Sequence, residues 1–179
     1  MKKLIYLAIA IIAVTASSCG DDGNTWSDYK DWREANNDWY QEQVQLRNPD
    51  GTPFYTNLRP SWYPQSGVLV HYFNDRRETA GNLSPLLTSH VTVKYVGKLY
   101  NGTTFDSTTV GSDSVRTFQL SDVVVGWQVA LSDMRVGDTC QIIVPYGEGY
   151  GINGSSSINP FSTLQFNIRL VDIPDYLIP

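Results

Sequence analysis

The sequence predicts an α+β fold, with an antiparallel sheet of five to six strands curved around one short helix and a further helix appended on the N-terminal side. Two strand signals carry the prediction. Val91, Val93 and Tyr95 alternate with Thr92 and Lys94, and Leu164, Phe166, Ile168 and Leu170 alternate with Thr163, Gln165, Asn167 and Arg169. A period of two gives each strand one buried face. The third observation lies between them. Val123 or Val124, Trp127, Leu131 and Met134 follow helical spacing, which predicts one helix over about residues 122–134.

The elements follow in order. Lys2 and Lys3 precede the apolar run LIYLAIAIIAV, and Ala16-Ser17-Ser18 lead into Cys19. This pattern reads as a targeting signal over residues 1–18. The run is too short for a comfortable membrane span. A cysteine directly after a small-residue cleavage site resembles a bacterial lipobox. That resemblance implies a mature chain that begins at Cys19, is lipidated there and is anchored by its acyl chains. The location implied is the bacterial cell envelope, at the periplasmic or surface face of the outer membrane. Gly20-Asp21-Asp22 resembles the acidic stretch after the lipidated cysteine of Bacteroidetes surface lipoproteins. An ordinary cleaved signal is the alternative.

Residues 19–24 read as a polar tether, and Thr25-Trp26-Ser27-Asp28 as a helix cap. From Trp26 to about Gln45, the residues Tyr29, Trp32, Trp39, Tyr40 and Val44 recur at roughly helical spacing. So dense an aromatic stripe needs a cover, either the main domain or a second molecule. Residues 47–66 hold four prolines and read as an irregular, packed connector, so residues 25–66 form one N-terminal unit. GVLVHYF at 67–73 is a strand signal that opens a main domain over residues 67–173. Tyr100-Asn101-Gly102 marks a turn before Phe105, and Arg135-Val136-Gly137-Asp138 ends the central helix.

Composition narrows the function. The chain has 179 residues, 41% hydrophobic and 12% aromatic, enough for a packed core. Its formal net charge is −5 and no Lys/Arg cluster occurs, which argues against a nucleic-acid partner. Cys19 and Cys140 are the two cysteines. If Cys19 carries lipid, no intrachain disulfide forms, and Cys140 in TCQIIV reads as a small buried hydrophobe. Two histidines, His71 and His90, are too few for a metal site or a Ser-His-Asp triad with the partners it needs. The stretch GEGYGINGSSS lacks the following lysine and helix of a phosphate cradle and reads as a mobile loop. No metal or cofactor is expected.

Five signals recur in fixed order: VKYVG, GTTFDS, VVGW, VPYGEGYG and STLQFNIRL. Together they closely resemble the FKBP family of peptidyl-prolyl isomerases, over about residues 67–173. The resemblance implies an FKBP-like sheet wrapped around a short helix, with a proline-binding pocket between them. It implies that Tyr95 lines the pocket, Phe105 forms a wall and Asp106 is the polar group near the susceptible amide. Trp127 would floor the pocket, and the Tyr150 hydroxyl would bond a substrate carbonyl. Val123 and Val124 would contact substrate, the Val124 N–H holding a carbonyl, and Ile158 and Phe166 would complete the apolar wall. Proline-containing polypeptides are the implied partners, and macrolide-type compounds the implied inhibitors. Two departures touch the rim. Arg116 stands where several members carry a wall aromatic, and the 119–126 segment is about two residues short.

These residue types suffice for a mechanism. Rotation about a peptide bond crosses roughly 18–20 kcal/mol, set by amide resonance. An apolar pocket disfavours the planar, charge-separated amide relative to the twisted one, so binding the twisted state lowers the barrier without a nucleophile or a base. Asp106 is expected to orient a tyrosine such as Tyr95. The leading expectation is a lipid-anchored peptidyl-prolyl cis-trans isomerase that assists folding of extracytoplasmic proteins. Its alternative is a catalytically weak FKBP-like peptide-binding or chaperone module of a surface lipoprotein. A third reading is a surface component that binds a partner or glycan through Trp and Tyr residues near 26–63.

Overall fold

A computed structural model describes residues 25–108 and 114–174. The signal segment, the tether and Cys19 lie outside the described residues. One antiparallel sheet contains β1 (Thr56–Asn57), β2 (Leu69–Tyr72), β3 (His90–Leu99), β4 (Thr104–Ser107), β5 (Arg116–Gln119), β6 (Thr139–Val144) and β7 (Leu164–Asp172). Its strand order is β1-β2-β6-β7-β3-β4, with β5 also paired to β3. β7 lies along one edge of β3 from Thr92 to Leu99, so β4 and β5 share the other edge. The seventh strand, beyond the five to six expected, is β1. Thr56 and Asn57 of the connector pair with Val70 and Leu69, so the sheet begins eleven residues before position 67.

Alternation in β3 and β7 places Val91, Val93, Tyr95, Leu164, Phe166, Ile168 and Leu170 in one core. Helix α3 (Val125–Asp133) packs into that core with Trp127, Ala130 and Leu131, followed by Met134. The helix starts later than position 122, because Leu120–Asp122 form a 3₁₀ turn and Val124 is the N-cap. Gly126 sets how closely α3 sits on β6. A Cβ there would lie 2.4 Å from Val144 Cγ1, inside any tolerable contact. Cys140 is buried beside Met134 at 3.6 Å, and burial pushes its thiol pKa up, which suits a packing residue rather than a nucleophile.

The opposite face of the sheet is covered from the N-terminal side. Tyr55, Leu69 and Ile143 form a second small core with Trp39, Tyr40 and Phe54. Helix α2 (Lys30–Gln45) therefore spends much of its aromatic stripe on this chain's own domain. Thr25–Asp28 form a helical turn, α1, in place of the expected cap, and Tyr29 at the α2 N-cap makes no side-chain capping bond. α2 ends at Gln45 with Leu46 as its extended C-cap, shortly before Pro49, which disfavours helical backbone at Asn48. Among the described residues no helix is long and apolar enough to cross a membrane.

The turn from α3 into β6 is held by a buried carboxylate. Asp138 is 0% exposed. It accepts hydrogen bonds from Thr79 Oγ1 at 2.6 Å, Asn74 Nδ2 at 3.0 Å and the Arg135 amide at 2.9 Å, and Arg76 Nε lies 3.3 Å away. Burial alone would raise its pKa, but these donors and the Arg76 charge outweigh burial and hold it below the usual carboxylate range. A depressed folded pKa stabilises the protein above the unfolded value near 3.8, and that stabilisation is lost as pH falls through the folded pKa. Asp138→Ala should cost about 3 kcal/mol in urea unfolding at neutral pH. The same substitution should flatten the loss of stability below about pH 3.8, measured by thermal melts across pH.

Candidate active site

A cavity of about 260 Å³ opens between α3 and the concave face of the sheet. Its walls are Tyr95, Phe105, Asp106, Phe118, Asp122, Val123, Val124, Trp127, Tyr150 and Phe166. Trp127, at 4% exposure, is the hub. The rings of Tyr95, Phe118 and Phe166 stand nearly perpendicular to it at 5.0, 5.8 and 5.2 Å between centroids. Phe105 meets Phe166 edge-on at 5.5 Å. Such T-shaped packing joins positive ring edges to negative faces and holds each ring in one orientation. The Trp127 indole Nε1 is buried and makes no hydrogen bond to another described residue.

The register of β3 builds this box. Tyr95 pairs with Ile168 on β7, and Gly97 pairs with both Phe166 on β7 and Asp106 on β4. The ladder then shifts: Lys98 faces Thr104, so Phe105 is an extra residue with no partner on β3. Neighbours in a regular strand point to opposite faces. The bulge breaks that alternation, which is how consecutive Phe105 and Asp106 both reach the cavity. Gly97 leaves room for the rings. A Cβ there would lie 2.7 Å from Phe105 Cζ and 2.8 Å from Phe166 Cε1.

One polar cluster sits at the cavity. Tyr95 Oη donates to Asp106 Oδ2 at 2.5 Å, and Arg116 Nη1 donates to Tyr95 Oη at 2.7 Å and to Asp106 Oδ1 at 3.1 Å. Burial raises the Tyr95 pKa, the Asp106 hydrogen bond and charge raise it further, and Arg116 partly opposes them. The phenol therefore stays protonated and donating at neutral pH. Tyr150, 39% exposed at the rim, is also raised, by burial first and by the Asp106 charge second.

Eight of the expected residues thus line one cavity: Tyr95, Phe105, Asp106, Val123, Val124, Trp127, Tyr150 and Phe166. Ile158 does not line it. It is buried in the main core, its amide and carbonyl tied to Ser155 by backbone hydrogen bonds of 3.1 and 2.8 Å. Phe118 and Asp122 are wall residues beyond the expected set, and Arg116 is bonded to two wall residues without being one. Phe118 is the one apolar residue of β5 and its one half-buried position, but nothing in a linear reading points Arg116 at Tyr95. The glycine-rich stretch, a loop as expected, carries its own turn hydrogen bonds. Gly151, Gly154 and Phe161 amides donate to Tyr146, Tyr150 and Gly151 carbonyls at 2.9, 3.1 and 2.9 Å. Among the described residues no group of three or more His, Cys, Asp and Glu side chains converges as a metal ion requires. A wider groove of about 600 Å³ between Trp62, Leu86 and Val129 lacks the aromatic box and the polar cluster.

Gly97→Ala should force Phe105 and Phe166 out of place and cost about 1–3 kcal/mol in urea unfolding, as overpacking does. The substitution should also alter near-UV circular dichroism, which reads the packing of the aromatic box.

The comparisons agree with this architecture. Residues 82–171 match the family model described as FKBP-type peptidyl-prolyl cis-trans isomerase. An FKBP-type 22 kDa peptidyl-prolyl cis-trans isomerase from Escherichia coli K12 is 40% identical over 90 residues, covering 50% of this chain and 43% of that protein. The outer membrane protein MIP of Legionella longbeachae is 42% identical over 84 residues, covering 46% of this chain and 36% of its own. The chain spans less than half the length of these curated relatives. A crystal structure of a peptidyl-prolyl cis-trans isomerase from Pseudomonas syringae shares the fold at a TM-score of 0.63 and 24% identity, over 81% of this chain and 95% of that one. With the matched segment spanning half the chain and containing the whole aromatic box, this protein belongs to the FKBP-type peptidyl-prolyl cis-trans isomerase family.

Proposed function

We propose that this chain is a peptidyl-prolyl cis-trans isomerase, anchored in a bacterial envelope through lipid on Cys19, that assists folding of proteins outside the cytoplasm. The observation that carries the proposal is the aromatic box around Trp127, with a cavity of about 260 Å³ that has room for a proline ring and one hydrogen-bonded polar cluster beside it.

The mechanism follows from that contrast. A planar X-Pro amide places partial negative charge on its oxygen, and a water-poor box solvates that charge badly. The twisted amide, with resonance interrupted, loses less on entry. Preferential binding of the twisted state lowers the barrier to rotation. Trp127, Phe105 and Phe166 hold the proline ring. Val124 heads α3 with no side-chain cap, and its carbonyl already takes the Trp127 amide at 2.9 Å, so the Val124 N–H at the head of the helix is the group placed to receive a substrate carbonyl. The Tyr150 hydroxyl, protonated at neutral pH, takes the other carbonyl. Asp106 has two roles: it fixes the Tyr95 ring, and it places a negative charge beside the amide nitrogen that becomes pyramidal in the twist. Arg116 holds the Asp106 carboxylate in place. The name outer membrane protein carried by the Legionella longbeachae relative supports the envelope assignment, as do the lipobox-like Ala16-Ser17-Ser18-Cys19 residues.

Exchange NMR on a short X-Pro peptide tests the activity, using full-length protein in detergent micelles. Wild type should accelerate cis/trans exchange, and folded Asp106→Val should lower kcat/KM about tenfold, the worth of one charge-assisted hydrogen bond. Peptide binding with no acceleration would instead indicate a binding module.

Metabolic labelling with radioactive palmitate in an expressing bacterium tests the anchor. Wild type should incorporate label and sediment with membranes, whereas Cys19→Ser should do neither.

A further inference from the structure

The loop that presents Tyr150 is fastened at both ends by the N-terminal segment. This loop joins β6 to β7 over residues 145–163. At its start, Glu148 is buried and accepts hydrogen bonds from Ser66 Oγ at 2.9 Å and the Gly67 amide at 2.5 Å, while Tyr40 Oη of α2 donates to the Gly67 carbonyl at 2.6 Å. At its end, Asn36 of α2 is 1% exposed, and its Oδ1 accepts from the Thr163 amide at 2.8 Å. Asn36 Nδ2 is satisfied within the helix by the Trp32 carbonyl at 2.8 Å, so the side chain is held in one orientation. Trp32 Nε1 donates to Ser162 Oγ at 3.1 Å, and Ser162 Oγ donates to the Asn159 carbonyl at 2.7 Å.

Between these ties lies a strained residue. Phe161 is buried at 1% exposure with φ of 62°, the single non-glycine residue at positive φ among the described residues. Such backbone persists only where its surroundings over-determine it. Here they do. Trp26 and Tyr146 meet the Phe161 ring edge-on at 5.4 and 5.5 Å, and the Phe161 amide donates to the Gly151 carbonyl. Gly151 follows Tyr150 directly, so the strap from α2 reaches the rim tyrosine through Thr163, Phe161 and Gly151.

The geometry points to Asn36 and Trp32 as positioning residues for isomerisation: α2 is a strap that holds the Tyr150 loop at the cavity rim, so the N-terminal unit belongs to the catalytic unit. This inference rests on the isomerase reading and deepens it. A helix that merely covered the sheet would need its apolar contacts on Leu69 and Ile143. It would have no need of a buried asparagine whose one long-range partner is the loop. The consequence for function is geometric. A carbonyl-binding hydroxyl displaced by about 1 Å loses much of its effect on rate, on the order of 10²-fold in the extreme.

The test uses full-length protein in detergent with Asn36→Ala, the milder Trp32→Phe, and Tyr55→Phe as a control. Tyr55→Phe keeps the ring that packs beside α2 and removes only the hydroxyl that donates to Gln141, on the other face of the sheet and away from the loop. At a temperature where all are folded, Asn36→Ala should lower kcat/KM on the X-Pro peptide about tenfold, Trp32→Phe less, and Tyr55→Phe not at all. In a Tyr150→Phe background Asn36→Ala should have little further effect, because both changes act on one hydroxyl. Amide exchange gives a readout independent of turnover. Gly151, Gly154 and Phe161 should exchange faster in Asn36→Ala, with Ile142 and Ile168 unchanged. Loop amides that exchange as in wild type would overturn the strap. So would additive effects in the double variant, or an equal loss of activity in Tyr55→Phe. An inactive wild type would count against the isomerase reading alone, since amide exchange would still decide whether α2 holds the loop.

Discussion

The register of β3 is the constraint on which the rest of the structure depends. Along ten residues this strand pairs with β7 on one edge and with β4 and β5 on the other, so three strands take their positions from it. Gly97 faces Phe166 on one side and Asp106 on the other, which fixes two cavity walls against one backbone position. A slip of one residue would send Val91, Val93 and Tyr95 to the opposite face and dissolve both the core and the cavity. The buried face specifies the register strongly, because a one-residue slip would place Thr92 and Lys94 against α3.

The cavity is a contrast between aromatic and polar surfaces a few ångströms apart. Trp127 and its perpendicular neighbours supply the apolar side. Tyr95, Asp106 and Arg116 satisfy one another in a closed cluster at the mouth. The pairing gives the Asp106 carboxylate hydrogen-bond partners on both oxygens beside an apolar wall. Arg116 thereby answers the question raised by its place in the sequence. It adds no ring to the wall, and it holds the polar pair that the wall surrounds.

The N-terminal unit and the family domain are one structure. β1 extends the sheet from within the connector, Trp39, Tyr40 and Phe54 close its outer face, and Asn36 reaches the loop before β7. Interactions separated by more than a hundred residues in sequence thus bear on a loop within the matched segment. An arrangement of this kind couples whatever holds the N-terminus in place to the rim of the cavity.

The sequence alone determined the α+β class, the two central strands, the central helix within three residues of its start, and the cavity residues on regular elements. Periodicity reports the strands and the helix because burial there recurs at a fixed interval, which Trp127, Tyr95 and Phe166 obey; their place at one pocket, like that of Phe105 and Asp106, came from the family resemblance. Only the tertiary structure decided the rest. The bulge at Phe105 breaks the period of two, which is how Phe105 and Asp106 come to reach one side. Ile158 lies in a loop whose path is set by turns and by α2, and that path carries it into the core instead of the cavity. Arg116 and Asn36 act through partners distant in sequence, and a polar residue that bonds across the fold leaves no periodic trace. Local pattern records which face is buried; which polar groups meet across that face is settled by the strand register and by the docking of α2.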